Sequence, residues 1–180
     1  MPPIVHGFDW PDRLVVGTIG RPGERSFYIQ ARDGRRVVSV AIEKEQSAVL
    51  ADKIDELLDE VATVEDNRFS VPDAAPTELR DGEPLDQPVE PEFRAGALSL
   101  GFDPATAQVV IEAYPIEDDV EVFTEPTGDG DEVEAVVELT EPSELLQVKI
   151  PVGSARAFVE RTREVIAAGR PSPPDFPELG

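Results

Sequence analysis

Phe27-Tyr28-Ile29-Gln30-Ala31 reads against Val109-Val110-Ile111-Glu112-Ala113, and Val38-Ser39-Val40-Ala41-Ile42 reads against Leu146-Gln147-Val148-Lys149-Ile150. After each second match a helical stretch follows, in which Leu50, Leu57 and Leu58 fall on Phe158, Val165 and Ile166. Apolar residues at period two mark strands, and apolar stripes at helical period mark helices. The pattern predicts an α+β fold of two tandem β-β-β-α units, pseudo-duplicated, with mostly antiparallel sheet. The alternative is a chance likeness between two generic hairpin-plus-helix units.

The two matches differ in offset. Phe27 maps to Val109 at 82 residues and Ile42 to Ile150 at 108, so 26 extra residues separate the strands of the second unit. They coincide with an acidic stretch, which marks an insertion.

In the first unit, strands are predicted over 14–19, 26–31 and 36–42, joined by turns at Gly20–Arg25 and at Asp33-Gly34. A helix over 43–61 follows, with Leu50, Ile54, Leu57, Leu58 and Val61 on one stripe. In the second unit, strands are predicted over 92–102, 108–114 and 145–150, then a helix over 152–168 with Ala155, Phe158, Val159, Thr162, Val165 and Ile166 inward. Between the units, Pro72, Pro76, Pro84, Pro88 and Pro91 exclude regular structure and predict extended chain crossing the surface. The organisation is therefore a first unit over 1–66, a Pro-rich linker over 67–91, a second unit over 92–169 with an acidic insertion over 115–144, and a Pro-rich tail over 170–180, in one compact domain. A three-stranded sheet exposes its edges, which favours joining the two sheets into one under both helices.

The chain has 180 residues and a net charge of −22, from 38 acidic and 16 basic side chains. That charge argues against nucleic acid and against an anionic membrane surface. Cysteine is absent, so disulfides and thiolate chemistry are excluded. Met1-Pro2-Pro3-Ile4-Val5-His6 lacks the regions of a signal peptide, and no apolar run reaches the ~20 residues of a membrane helix. A soluble, cytoplasmic protein is expected.

The insertion carries twelve acidic residues over 115–144 and no Lys or Arg. Like charges at this density favour a mobile segment over 117–131, while Val133 to Leu139 could form a short edge strand. Three readings stand: a solvated loop, a docking arm for a basic protein partner, and a site for Ca²⁺ or Mg²⁺ built from Asp118-Asp119 and Asp129-Gly130-Asp131-Glu132. The candidate partner-binding residues are Glu117, Asp118, Asp119, Asp129, Asp131 and Glu132.

Catalytic motifs do not stand out. The single histidine, His6, reads as a solvent-exposed bystander, and zinc sites of the usual Cys/His kinds are excluded. No phosphate-cradling glycine loop is present. No catalytic residue, cofactor or metal site is expected. One feature rises above background: Arg13, Arg21, Arg25, Arg32, Arg35 and Arg36 put six arginines into 24 residues. Arginine holds carboxylate and phosphate bidentately. Arg21, Arg25, Arg32, Arg35 and Arg36 are therefore candidates for an anion site, against the alternative that they pair with the protein's own carboxylates.

Phe8-Asp9-Trp10-Pro11-Asp12-Arg13, Gly20-Arg21-Pro22-Gly23-Glu24-Arg25-Ser26-Phe27, Glu43-Lys44-Glu45-Gln46 and Leu85-Asp86-Gln87-Pro88-Val89 resemble an uncharacterised, mainly actinobacterial family of conserved hypothetical proteins. The likeness extends through Phe93-Arg94-Ala95-Gly96 and Ala155-Arg156-Ala157-Phe158 to Gly169-Arg170-Pro171. Members often lie in genomes near histidine-phosphatase-like and phosphoinositide-kinase-like proteins, and the resemblance thereby implies phosphate-related metabolism or regulation. Relatives typically continue into a cysteine-rich tail resembling a zinc ribbon, whereas this chain runs Ser172-Pro173-Pro174-Asp175-Phe176-Pro177. Two functions are carried forward. The first is a non-catalytic binding or assembly protein that recruits a partner through the acidic arm or the arginine-rich hairpins. The second is an enzyme or regulator acting on a phosphorylated small molecule or nucleotide at the arginines.

Overall fold

The computed structural model describes residues 3–21, 23–115 and 143–168, together with the backbone of 121–126 and 133–138. Nine strands and two α-helices follow in the order β1 (Ile4–Asp9), β2 (Arg13–Ile19), β3 (Ser26–Asp33), β4 (Arg36–Ile42), α1 (Lys44–Ala62), β5 (Pro91–Asp103), β6 (Gln108–Pro115), β7 (Glu121–Pro126), β8 (Val133–Glu138), β9 (Glu144–Pro151) and α2 (Val152–Ala168). Seven strands form one mixed sheet in the order β1-β9-β6-β5-β4-β3-β2, and among the described residues β7 and β8 pair only with each other. The β1/β9 and β4/β5 ladders are parallel; the other ladders of the large sheet are antiparallel.

The sequence pattern does not predict β1, and β1 sets the shape of the sheet. In a flat sheet the outermost strands, β1 and β2, would lie about 29 Å apart, six spacings of ~4.8 Å. They are joined by Trp10, Pro11 and Asp12 alone, a link that reaches about 14 Å at most. The two strands also run in the same direction, so they form one bent strand. Its first half pairs with β9 and its second half with β3, closing a ring of hydrogen-bonded ladders. The corner is Trp10, at φ 57°, whose N–H still donates to the Lys149 carbonyl at 2.8 Å.

The ring leaves two splayed seams, and each helix covers one. The β4/β5 ladder ends at Ala41 and Arg94; beyond it the Gln46 amide of α1 donates to the Ala95 carbonyl at 3.2 Å. On the other side, the Arg161 Nε of α2 donates to the Val16 carbonyl at 3.0 Å. Helices placed this way satisfy strand edges that would otherwise pair with other chains. One continuous core contains Phe8, Val16, Ile29, Val40, Ile111, Leu146 and Val148 from the sheet with Ile54, Leu58, Ala155 and Phe158 from the helices. The predicted inward stripe of α1 is buried at Leu50, Ile54, Leu58 and Val61, and that of α2 at Ala155, Phe158, Val159 and Thr162. Arg156, 7% exposed, ties the helices together by donating to Asp55 and Asp59 of α1 and to the Pro72 carbonyl.

The linker runs over the surface largely without regular structure, but a few of its side chains are buried. It contains a 3-10 turn at Thr77–Leu79 and buries Val71, Ala75 and Leu85. After passing α2 it runs along the outer face of β2 and β3. Leu85, 3% exposed, fills the space left by the missing side chain of Gly17, where a Cβ would lie 2.5 Å from it. Gln30, also on the outer face, donates to Ser39 and to the Asp86 carbonyl and accepts from the Asp86 N–H.

Within the acidic insertion, the expected strand near 133–139 is present as β8, and β7 occupies part of the stretch expected to be mobile. The remainder of that stretch, and the 170–180 tail, lie outside the described residues. No helix among the described residues is long and apolar enough to cross a membrane.

Candidate functional site

The arginines of the first unit do not converge. Arg21 and Arg35 are exposed in turns. Arg36 donates to the Gly7 carbonyl at 2.9 Å and lies 4.0 Å over the Phe8 ring, which bolts β4 to β1. Arg32 donates to both carboxylate oxygens of Asp86 at 3.1 Å. Arg13, 8% exposed, is enclosed by the linker: it donates to both oxygens of Asp81 and to the Glu83 and Pro84 carbonyls. Arg161 reaches the same Asp81 carboxylate at 3.2 Å. One carboxylate therefore serves two buried guanidinium groups. Burial opposes the charge on Asp81, but the Arg13 hydrogen bond, the Glu83 N–H and the two guanidinium charges outweigh it and hold the carboxyl below its usual value. Burial pulls Arg161 down from its usual value, against the attraction of Asp81. This cluster is saturated by partners inside the protein, so it reads as a clasp for the linker.

Arg25 differs from the others. It lines a cavity of about 390 Å³ walled also by Gly23, Ser26, Phe27 and Tyr28, by Ala41 and Ile42, by Glu43, Lys44 and Glu45 at the start of α1, and by Arg94 of β5. Its Nε is buried and has no hydrogen-bond partner, the one such side-chain atom among the described residues. Buried polar atoms are nearly always satisfied, so Arg25, whose side chain has no hydrogen bond or ion pair among the described residues, is left with unused donors beside the cavity. Two further cations share the cavity, Lys44 and Arg94. Arg94 is engaged by Glu43, which precedes α1. Lys44 is the first residue of α1, where the helix dipole disfavours a positive side chain. Glu43 and Glu45 also line the cavity, so its cationic excess is small and localised at Arg25 and Lys44. Its volume lies in the usual range for small-molecule sites.

The sequence pattern singled out Arg25 but not Lys44 or Arg94, which reach the cavity only through the turn into α1 and the β4/β5 pairing. Glu117, Asp118, Asp119, Asp129, Asp131 and Glu132 lie outside the described residues. His6 is not a solvent-exposed bystander: it sits on β1, its side chain 18% exposed, and its Nε2 hydrogen-bonds Glu144 at 3.0 Å.

Residues 6–176 match a family model described as a protein of unknown function (DUF3090). No curated protein and no solved structure matches the chain.

Proposed function

The chain belongs to that family of unknown function, and we propose that it is a non-catalytic binding protein whose cavity at Arg25, Lys44 and Arg94 takes an anionic group, that of a phosphorylated small molecule. The observation that carries this reading is that Arg25 and Lys44 line the cavity with no side-chain hydrogen bond or ion pair among the described residues. A phosphoryl group accepts from the Arg25 guanidinium and balances Lys44. Ser26, Tyr28, Glu43 and Glu45 line the cavity, but among the described residues neither hydroxyl is hydrogen-bonded to either carboxylate, which favours a holding or sensing role over catalysis.

The test is thermal unfolding with inorganic phosphate, pyrophosphate and a sugar phosphate at millimolar concentration. The melting temperature should rise with ligand concentration. The rise should vanish in Arg25→Met and shrink in Lys44→Met, both partly exposed positions whose replacement leaves the core untouched. Equal responses from the parent and both variants would defeat the reading.

A second reading has its own support. The β7–β8 hairpin pairs with no strand of the main sheet, and it belongs to the acidic insertion, so a basic protein partner could be recruited there without disturbing the fold. A partner retained by the full chain in affinity purification, and lost when 116–142 is removed, would support it. An internal duplication is part of the same reading. Its support is that β2–β3–β4–α1 and β5–β6–β9–α2 each end in a helix over a seam where strands meet in parallel.

A further inference from the structure

We infer that His6, Glu92 and Glu144 form a binding site for one divalent first-row transition ion, of the Mn²⁺, Fe²⁺ or Zn²⁺ class, which ties β1 to β9 and to the start of β5. The three side chains lie far apart in sequence. Each offers a ligand atom, one imidazole nitrogen and two carboxylate oxygens, all within 4.8 Å of one another. The closure of the ladder ring produces this. His6 and Glu144 sit on one face of the parallel β1/β9 pair, where Ile4 pairs with Glu144 and His6 with Leu146. Glu92 comes from the first turn of pleat in β5, on the far side of β6 and β9 in the strand order.

The geometry is half assembled. His6 Nε2 and Glu144 Oε2 stand 3.0 Å apart, close to the separation of two ligands on one ion with metal–ligand distances of about 2.0–2.2 Å. Glu92 is exposed and free to swing the remaining distance. The imidazole is limited in its choices, being part-buried with its ring centroid 6.5 Å from that of Phe93.

Charge supplies an independent reason. Like charges this close repel, and among the described residues neither Glu92 nor Glu144 forms a salt bridge with Lys or Arg. A neutral imidazole leaves both carboxylates uncompensated, and a protonated one balances a single charge. A divalent ion balances both. Mixed imidazole and carboxylate ligation selects borderline ions over Ca²⁺ or Mg²⁺, which prefer oxygen alone. Three protein ligands leave further positions for water. None of these residues lines the anion cavity, so this inference stands apart from the proposed function.

The chain has one histidine, so its NMR spectrum has one imidazole spin system, a reporter that the acidic insertion cannot mimic. Zn²⁺ is titrated into the full-length protein at fixed pH while that signal is followed, and Mn²⁺ is used for paramagnetic broadening. The expected result is a shift complete at one equivalent of Zn²⁺, with affinity at least about tenfold weaker in Glu92→Gln and Glu144→Gln. Glu92 is exposed, so its variant folds and keeps the test decisive even if a Glu144 variant does not. An imidazole signal that ignores several equivalents of Zn²⁺, or that shifts with the same affinity in Glu92→Gln, overturns the inference; the latter would mark binding that does not involve Glu92.

Discussion

Asp81→Ala is the most direct test of how the linker is held. The carboxylate accepts from Arg13 at 2.7 and 3.1 Å and from Arg161 at 3.2 Å, and both guanidinium groups are more than nine-tenths buried. Removing one member of a buried ion pair costs about 3–5 kcal/mol, because the remaining charge is left without compensation. Here two like charges would be left side by side. Three features temper the loss. Asp81 keeps 26% of its side chain exposed, Arg13 retains the Glu83 and Pro84 carbonyls, and Asp86 lies 3.7 Å from its Nη1. A loss of about 3 kcal/mol follows, equivalent to a fall in melting temperature of roughly 6–12 °C for a chain of this size. Urea unfolding followed by circular dichroism measures it. Adding Arg13→Met to Asp81→Ala should cost less than the two single losses together, by about 1 kcal/mol or more, since the groups share one network. A loss below about 1 kcal/mol for Asp81→Ala, or strict additivity in the double variant, would refute the idea that this carboxylate clasps the linker. The pH dependence has a definite sign. Asp81 is held below its ordinary value of 3.8 in the folded protein, so its contribution is fully present above that value and fades as pH falls through the folded value. The gap between parent and Asp81→Ala should therefore narrow in acid, below about pH 4, and stay constant through neutrality.

Three further outcomes follow from the fold. Phe8→Ala should cost about 3–5 kcal/mol, because Phe8 is 3% exposed and belongs to the central core; a loss below about 1 kcal/mol in urea unfolding would mean that β1 is an appendage. Leu85→Ala should cost about 2–4 kcal/mol by opening the space over Gly17, and amide exchange at Gln30 and Ser39 should then accelerate relative to the core of β9. Replacing 116–142 with a short Gly-rich turn should leave the melting temperature within about 3 °C of the parent, since β6 and β9 are already antiparallel neighbours that a direct hairpin can join; aggregation or unfolding of that variant would place the insertion in the core.

Periodicity made most of the scaffold legible. Phe27, Ile29, Val38, Val40 and Ile42 alternate cleanly, as do Val109, Ile111 and Ala113, and all eight are buried in the same core. The helical stripes were readable for the same reason. What escaped has a common cause: burial imposed by distant chain rather than by a local period. Ile4 and Val5 are exposed and His6 and Gly7 only part-buried, so β1 shows no alternation, and Phe8 alone marks its inner face. Leu85 stands among prolines and is buried because it meets a glycine 68 positions earlier. Arg156 and Arg161 interrupt an amphipathic pattern and are nevertheless inside, because their acceptors come from α1, β2 and the linker. The candidate site was legible in one residue, Arg25. Lys44 and Arg94 carry no local signal, since their approach depends on the β4/β5 register.

The bend at Trp10 links these points physically. An aromatic residue at φ 57° is strained by roughly 1–3 kcal/mol, and such strain persists only where the surrounding structure fixes it. Here the chain must leave the β9 ladder and join the β3 ladder within three residues. Straightening the corner would force a choice between them. Losing β9 would expose Phe8 and separate His6 from Glu144; losing β3 would expose Val16 and remove the surface on which Leu85 rests. Trp10→Gly relieves the dihedral and should keep both ladders. Trp10→Pro removes the N–H that bonds Lys149 and cannot adopt this φ. The glycine variant should therefore unfold within about 1 kcal/mol of the parent, and the proline variant at least about 3 kcal/mol below it. Comparable stability of the two variants would mean that the corner is not held by the ring.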